Sequence, residues 1–97
     1  MVEEPEKSAF EKLLEGNKKF IAEMDEGKLK GLCQGQKPYA AVVACSDSRV
    51  PVEQIFGADD PGSLFVIRVA GNAAAADASV LGSIEYAVAH LHVPVIV

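Results

Sequence analysis

Three side chains of different chemistry follow one another at alternate positions after a short apolar run. The run extends from Tyr39 to Ala44, and the side chains are the thiol of Cys45, the carboxylate of Asp47 and the guanidinium of Arg49. An apolar run of this length favours a strand buried on both faces. Ligands of open α/β sheets bind just outside the carboxyl ends of such strands. We therefore predict that Cys45, Asp47 and Arg49 are active-site residues.

Several kinds of chemistry use a thiol close to an arginine. A cysteine phosphatase needs a longer loop between these two residues, whose amides wrap around a phosphate. Here only three residues separate Cys45 from Arg49, and none is glycine, so such a loop cannot form. A thioredoxin-like centre needs a Cys-x-x-Cys spacing, which Cys33 and Cys45 lack. Zinc accepts thiolate, imidazole and carboxylate ligands. The residues favour a metal centre, while a helix-capping role for Asp47 and a purely structural role for Cys45 stay open.

The other soft metal ligands are Cys33, His90 and His92. His90 falls at the predicted end of a helix, where histidine interacts with the last carbonyl groups. His92 precedes the third predicted strand, at the end of the sheet opposite the crevice. Cys33 lies in a glycine-rich segment without ligand spacing to Cys45. We therefore expect the remaining metal ligands to come from outside these residues.

The composition excludes several classes of protein. The formal net charge of −5 disfavours nucleic-acid and acidic-membrane partners. No apolar run approaches the ~20 residues that span a bilayer, and the acidic start does not resemble a signal peptide. Two cysteines are too few for a disulfide scaffold. We therefore expect a cytoplasmic protein with a packed core.

The remaining pattern predicts one incomplete α/β domain over residues 1–97, with an N-terminal helical arm over residues 8–26. Ser8 and Glu11 form a capping box before the arm. Gly16 is predicted to bend the arm, and residues 27–38 are predicted to form a loop. The apolar stripe of the arm has helical spacing and consists of Phe10, Leu13, Leu14, Phe20, Ile21 and Met24.

Strands and helices alternate in the rest of the chain. We predict strands over residues 40–44 and 64–69, a third strand beginning over residues 93–97, and helices over residues 52–56 and about 76–90. This order implies a parallel β-sheet with flanking helices and right-handed crossovers. The sequence reaches Val97 within the third strand, and we expect it to be a partial chain.

Four motifs, in this order, resemble those of the β-class carbonic anhydrases. The match covers residues 10–97, and its motifs are Leu13–Phe20, Ala44–Pro51, Arg68–Asn72 and Ser83–Val88. The resemblance implies zinc-dependent, reversible hydration of CO2 to bicarbonate, with zinc hydroxide as the nucleophile. It also implies a homodimer or a higher homo-oligomer.

The resemblance assigns roles at the zinc. Cys45 is a zinc thiolate, and Asp47 either fills the fourth zinc position or pairs with Arg49 and leaves that position for water. In the second state Asp47 orients the nucleophile, and Arg49 keeps Asp47 ionised.

The resemblance also assigns a substrate site. Gln36 is expected to donate a hydrogen bond to bicarbonate or CO2. Phe65 and Tyr86 are expected to line an apolar pocket shared across a dimer interface, or to be ordinary core aromatics.

Two features depart from the family pattern. Val69 stands where the family has asparagine, and the sequence ends before a Gly-His-x-x-Cys-Gly segment that supplies two further zinc ligands. We therefore expect that the 97 residues alone do not hydrate CO2. Two alternatives stay open: a catalytically incompetent remnant that acts as an oligomerising or interaction module, and a thiol-based redox or sulfur-transfer protein.

Overall fold

The computed structural model describes residues 6–73 and 77–97. The described residues divide into two compact units, one that reaches residue 33 and one that begins at residue 34. The first unit contains helices α1 (Ala9–Glu23) and α2 (Glu26–Cys33). The second unit contains β1 (Ala40–Cys45), α3 (Val52–Ile55), β2 (Leu64–Val69), a 3-10 turn (Ala70–Asn72) and α4 (Ala78–Ala89). The predicted α/β class is confirmed; the predicted start of the last helix at Ala76 lies outside the described residues.

Helix α1 begins where the capping residue predicts. The Ser8 hydroxyl accepts a hydrogen bond from the backbone N–H of Glu11 at 3.1 Å, which satisfies one of the free amides of the first turn. The helix continues through Gly16 without interruption, so the predicted bend is wrong. An interior glycine costs only about 1 kcal/mol, which the good helix formers around it offset. No residue of α1 is buried, so its apolar stripe is exposed.

Helix α2 replaces most of the predicted loop, and this is a second correction. The Asp25 carboxylate accepts hydrogen bonds from the backbone N–H groups of Gly27 at 2.7 Å and Lys28 at 3.2 Å. These bonds satisfy first-turn amides that the helix itself leaves free. Glycine content therefore predicted a loop, whereas the aspartate before the glycine stabilises a helix.

Strand β1 lies at the centre of the sheet. It pairs with β2 in parallel, from Ala40 opposite Leu64 to Cys45 opposite Val69. On its other edge, the Ala41 N–H donates to the Val95 carbonyl at 3.0 Å, and the Val97 N–H donates to the Ala41 carbonyl at 2.9 Å. The predicted third strand is thus present as the beginning of a parallel pairing. The carboxyl ends of β1 and β2 meet at one edge of the sheet.

The core is formed by β1 and the helices that cover the sheet. Val42 and Ala44 pack against Val52 of α3, which is 1% exposed. Helix α4 packs on β2 and buries Val80 and Ala87. The segment after β1 is therefore fixed at both ends, by the sheet and by α3. Within residues 6–73 and 77–97, no helix is long and apolar enough to cross a membrane.

Candidate metal centre

The thiol of Cys45 lies in a group of backbone amides at the carboxyl end of β1. Hydrogen bonds from the N–H groups of Asp47, Gly71 and Asn72 lower the pKa of this thiol, and they outweigh partial burial and the Asp47 charge, which raise it. Gly71 and Asn72 both have left-handed backbone conformations, with φ of 82° and 53°. These two consecutive residues turn the chain so that their amides face the sulfur. The site therefore favours a thiolate, which is the form that binds metals.

The carboxylate of Asp47 is paired with Arg49. Arg49 Nη2 donates to Asp47 Oδ2 at 2.6 Å, and Arg49 Nε donates to Asp47 Oδ1 at 3.0 Å. The backbone N–H of Arg49 also donates to Asp47 Oδ1, at 2.8 Å. The guanidinium hydrogen bonds, followed by this backbone hydrogen bond, hold the pKa of the Asp47 carboxyl below its usual range, and the charge of Arg68 adds to the effect. The carboxylate is therefore ionised at neutral pH.

The side chain of Asp47 is bonded to Arg49 and not to the first turn of helix α3. Helix α3 begins after Pro51 and has no side-chain cap, so Asp47 does not cap it. The structure instead has the state in which Asp47 and Arg49 are bonded to each other. The pKa of the Arg49 guanidinium is raised by the same hydrogen bond, so the two charges stabilise one another.

Arg68 is the site residue that the sequence did not single out as functional. Its Nε donates to the Cys45 carbonyl at 2.9 Å, and its Nη2 donates to the Asp47 carbonyl at 2.7 Å. It is the only charged residue of β2, Leu64–Val69, and its strand ends beside β1. A charged residue near the end of an otherwise apolar strand is the feature of the sequence that could have indicated a functional role for Arg68.

Two of the other soft ligands, Cys33 and His90, lie at the ends of helices. Cys33 is exposed at the end of α2. His90 is the C-cap residue of α4, and the centroid of its ring lies 5.2 Å from that of Tyr86. Over the part of the chain that the structure describes, no group of three or more His, Cys, Asp and Glu side chains could hold a metal ion. A thiolate and a carboxylate fit zinc.

The residues predicted to line the substrate pocket lie away from Cys45. The rings of Phe65 and Tyr86 have their centroids 6.0 Å apart, so the structure brings these two residues together. Phe65 is opposite Ala41, near the amino end of β1, which is about 13 Å along the strand from Cys45. Gln36 precedes β1 and is exposed. Within one chain, Phe65 and Tyr86 therefore lie towards the end of the sheet opposite the thiol.

A parallel α/β sheet with a thiol and an ionised carboxylate at its carboxyl edge defines a candidate metal-dependent enzyme. Comparison with known proteins narrows this class. The family model described as carbonic anhydrase matches residues 40–97, which include the sheet and the residues around Cys45. The chain belongs to the carbonic anhydrase family, and its structural relatives place it in the β class.

Two comparisons with named proteins support this assignment. Carbonic anhydrase 2 of Mycobacterium tuberculosis is 45% identical over 96 residues, which cover 93% of this chain and 45% of the relative. The carbonic anhydrase of Mycolicibacterium smegmatis is 43% identical over 96 residues, with the same 93% and 45% coverage. The chain therefore spans about half the length of the curated relatives it matches.

Solved structures give the same result for the fold. The β-carbonic anhydrase CafA of Aspergillus fumigatus superposes with a TM-score of 0.82 at 35% identity, over 92% of this chain and 44% of that one. The β-carbonic anhydrase CcaA superposes with a TM-score of 0.81 at 34% identity, over 92% and 46% of the two chains. The predicted membership of the β class is confirmed.

Proposed function

We propose that this chain forms part of a zinc-dependent enzyme that catalyses the reversible hydration of CO2 to bicarbonate. The observation that carries the proposal is the Cys45 thiol beside an Asp47–Arg49 pair, at the carboxyl end of β1, in a member of the carbonic anhydrase family. Because the chain spans 45% of its relatives, the activity is proposed for an assembly that includes further residues.

Cys45 is the proposed zinc ligand of this chain in the active state, and Asp47 takes a zinc position only in the alternative state in which it leaves Arg49. Backbone N–H groups lower the pKa of the Cys45 thiol, which favours the thiolate form that binds metals. Four ligands are typical of zinc, and the others are proposed to come from outside the described residues. Bound zinc supplies a Lewis acid that brings the pKa of water from ~15.7 to about 7.

Asp47 is proposed to orient the attacking water. Its two oxygens accept hydrogen bonds from Arg49, which keep the carboxylate ionised and fix its plane. An ionised carboxylate is acceptor-only, so the attacking water can donate one hydrogen bond to Asp47 and direct a lone pair towards CO2. If Asp47 leaves Arg49 and binds the metal, the position for this water is lost.

The substrate roles of Gln36, Phe65 and Tyr86 are proposed to operate between subunits. Phe65 lies about 13 Å along the sheet from the level of Cys45, so these residues complete a site only if a second chain supplies them. Support for an assembly comes from α1, whose side chains Phe10 and Leu13 are 69% and 72% exposed. The structures of two β-carbonic anhydrases from Sordaria macrospora are described as tetrameric.

The cellular setting is also a proposal. Cys33 and Cys45 are both free thiols in the structure. Free thiols are the normal state of cysteine in the reducing cytoplasm. We therefore propose that the protein is cytoplasmic. We also propose that it forms a homodimer or a higher homo-oligomer.

Zinc content and CO2 hydration test the function directly. We expect protein containing this chain to bind zinc stoichiometrically by elemental analysis and to hydrate CO2 in a stopped-flow indicator assay. Cys45→Ser should lose both, and Cys33→Ser is the matched control that should keep both. A folded oligomer that stays free of zinc would refute the proposal and favour the non-catalytic module, whereas a metal-free protein with a redox-active Cys45 would favour the thiol chemistry.

A further inference from the structure

Arg68 lies beside the candidate metal centre without belonging to the predicted ligand set. In the parallel register it is opposite Ala44, the residue before Cys45. Arg68 is exposed, whereas its neighbour Ile67 is buried. An exposed arginine at this level of β2 can reach the backbone of β1 where that strand ends.

The guanidinium of Arg68 binds two carbonyl groups of the neighbouring strand end. Nε donates to the Cys45 carbonyl at 2.9 Å, and Nη2 donates to the Asp47 carbonyl at 2.7 Å. The planar fork of a guanidinium offers two donors in a fixed relation. One side chain therefore holds the backbone of both Cys45 and Asp47.

The hydrogen bonds of Arg68 connect the two strands just beyond the point where their backbone pairing ends. The last backbone bond between the strands runs from the Ser46 N–H to the Val69 carbonyl, at 3.1 Å. Beyond it, Asp47 is bonded to Arg49, two residues along the chain, and its carbonyl accepts from Val50 at 3.0 Å. These bonds lie within the segment itself and do not connect Asp47 to β2.

Arg68 connects Asp47 to β2 over a long distance in sequence. It is 23 residues from Cys45 and 21 residues from Asp47 in sequence. The turn that follows Arg68 also carries Gly71 and Asn72, whose amides contact the Cys45 sulfur. Both ends of the Cys45–Asp47 segment are thereby hydrogen-bonded to the end of β2 or to the turn that follows it.

We propose that Arg68 is a positioning residue that holds the Cys45 and Asp47 backbones in one fixed arrangement. For its effect on turnover the proposal rests on the proposed function, whereas its effect on the segment holds without metal. Lysine at this position keeps the charge but offers only a single ammonium group. Glutamine removes the charge and is too short to reach both carbonyls.

Hydrogen exchange on the metal-free chain tests the proposal. The amides of Arg49 and Val50 report the segment, because they donate to the Asp47 side chain and carbonyl. We expect these amides to exchange about tenfold faster in Arg68→Gln, the change that corresponds to losing about one hydrogen bond. Arg68→Lys should fall between Arg68→Gln and the unchanged chain. Lys37→Gln, an exposed substitution in the same unit, is the control.

The amide of Val43 separates positioning from folding, because it donates to the Val97 carbonyl at 2.8 Å within the sheet. We expect its exchange to stay unchanged in both Arg68 variants. Unchanged exchange at Arg49 and Val50 would overturn the proposal. Faster exchange at Val43 in both variants would also overturn it, since Arg68 would then support the whole unit.

A second measurement addresses turnover in zinc-loaded protein. Both Arg68 variants should lower kcat while the KM for CO2 stays close to its original value, because the misplaced groups act after binding. Absence of any hydration activity would refute the proposed function and leave the exchange result to decide the role of Arg68.

Discussion

Replacing Gly71 by alanine tests how the turn after β2 supports the Cys45 thiol. Gly71 has φ of 82°, and a Cβ atom placed there would meet no other atom within 4 Å. The cost of alanine is therefore conformational and not steric. A left-handed conformation costs a residue with a side chain about 1–2 kcal/mol, so Gly71→Ala should lower the free energy of unfolding by that amount.

Gly82 offers a matched control in the same unit of the chain. It lies inside α4, and a Cβ atom there would also meet nothing within 4 Å. Alanine is favoured over glycine in a helix interior by about 1 kcal/mol, so Gly82→Ala should raise the free energy of unfolding. The same chemical change thus has opposite signs at the two positions, with a difference of about 2–3 kcal/mol between the variants.

Urea denaturation followed by circular dichroism measures both free energies. Alkylation of Cys45 by iodoacetamide across a pH series, in a Cys33→Ser background, adds a chemical measurement. Gly71→Ala keeps a backbone N–H in the same left-handed conformation, so the hydrogen bond that lowers the pKa of the thiol is retained and the midpoint of alkylation should stay unchanged in both variants. Equal free energies of unfolding for the two variants, or a shifted midpoint in Gly71→Ala, would refute the reasoning.

Two further predictions follow from the pKa shifts at the site. In metal-free Cys33→Ser protein, Cys45 should be alkylated with a midpoint below that of the same chain unfolded in urea, because folding supplies the amide hydrogen bonds; a midpoint equal to or above the unfolded value contradicts this. For Asp47, folding lowers the carboxyl pKa, so the pairing with Arg49 stabilises the protein fully above the unfolded pKa of ~3.9 and loses this effect as the pH falls through the folded value. The stability difference between the original protein and Asp47→Asn should therefore shrink below pH ~4 in urea titrations, and a difference independent of pH would argue against it.

The elements of the fold were predictable where a local pattern defines them. The apolar run before Cys45, the second run over Leu64–Val69 and the Ser8 cap each depend on neighbouring residues, and each forms the predicted structure. Prediction failed where two local signals compete. Around Gly27 the glycines oppose a helix while the Asp25 carboxylate supports one, and their relative strengths cannot be read from the order of residues.

The sequence by itself determined the chemistry available at the site, because Cys45, Asp47 and Arg49 are close in the chain and follow one strand. It equally determined the parallel α/β class. Only the tertiary structure decided what surrounds these groups: the register of β1 and β2 brings Arg68 to the two carbonyls, and it brings the amides of Gly71 and Asn72 to the sulfur. Such contacts join residues more than 20 positions apart, and they depend on strand alignment, which a local pattern does not encode.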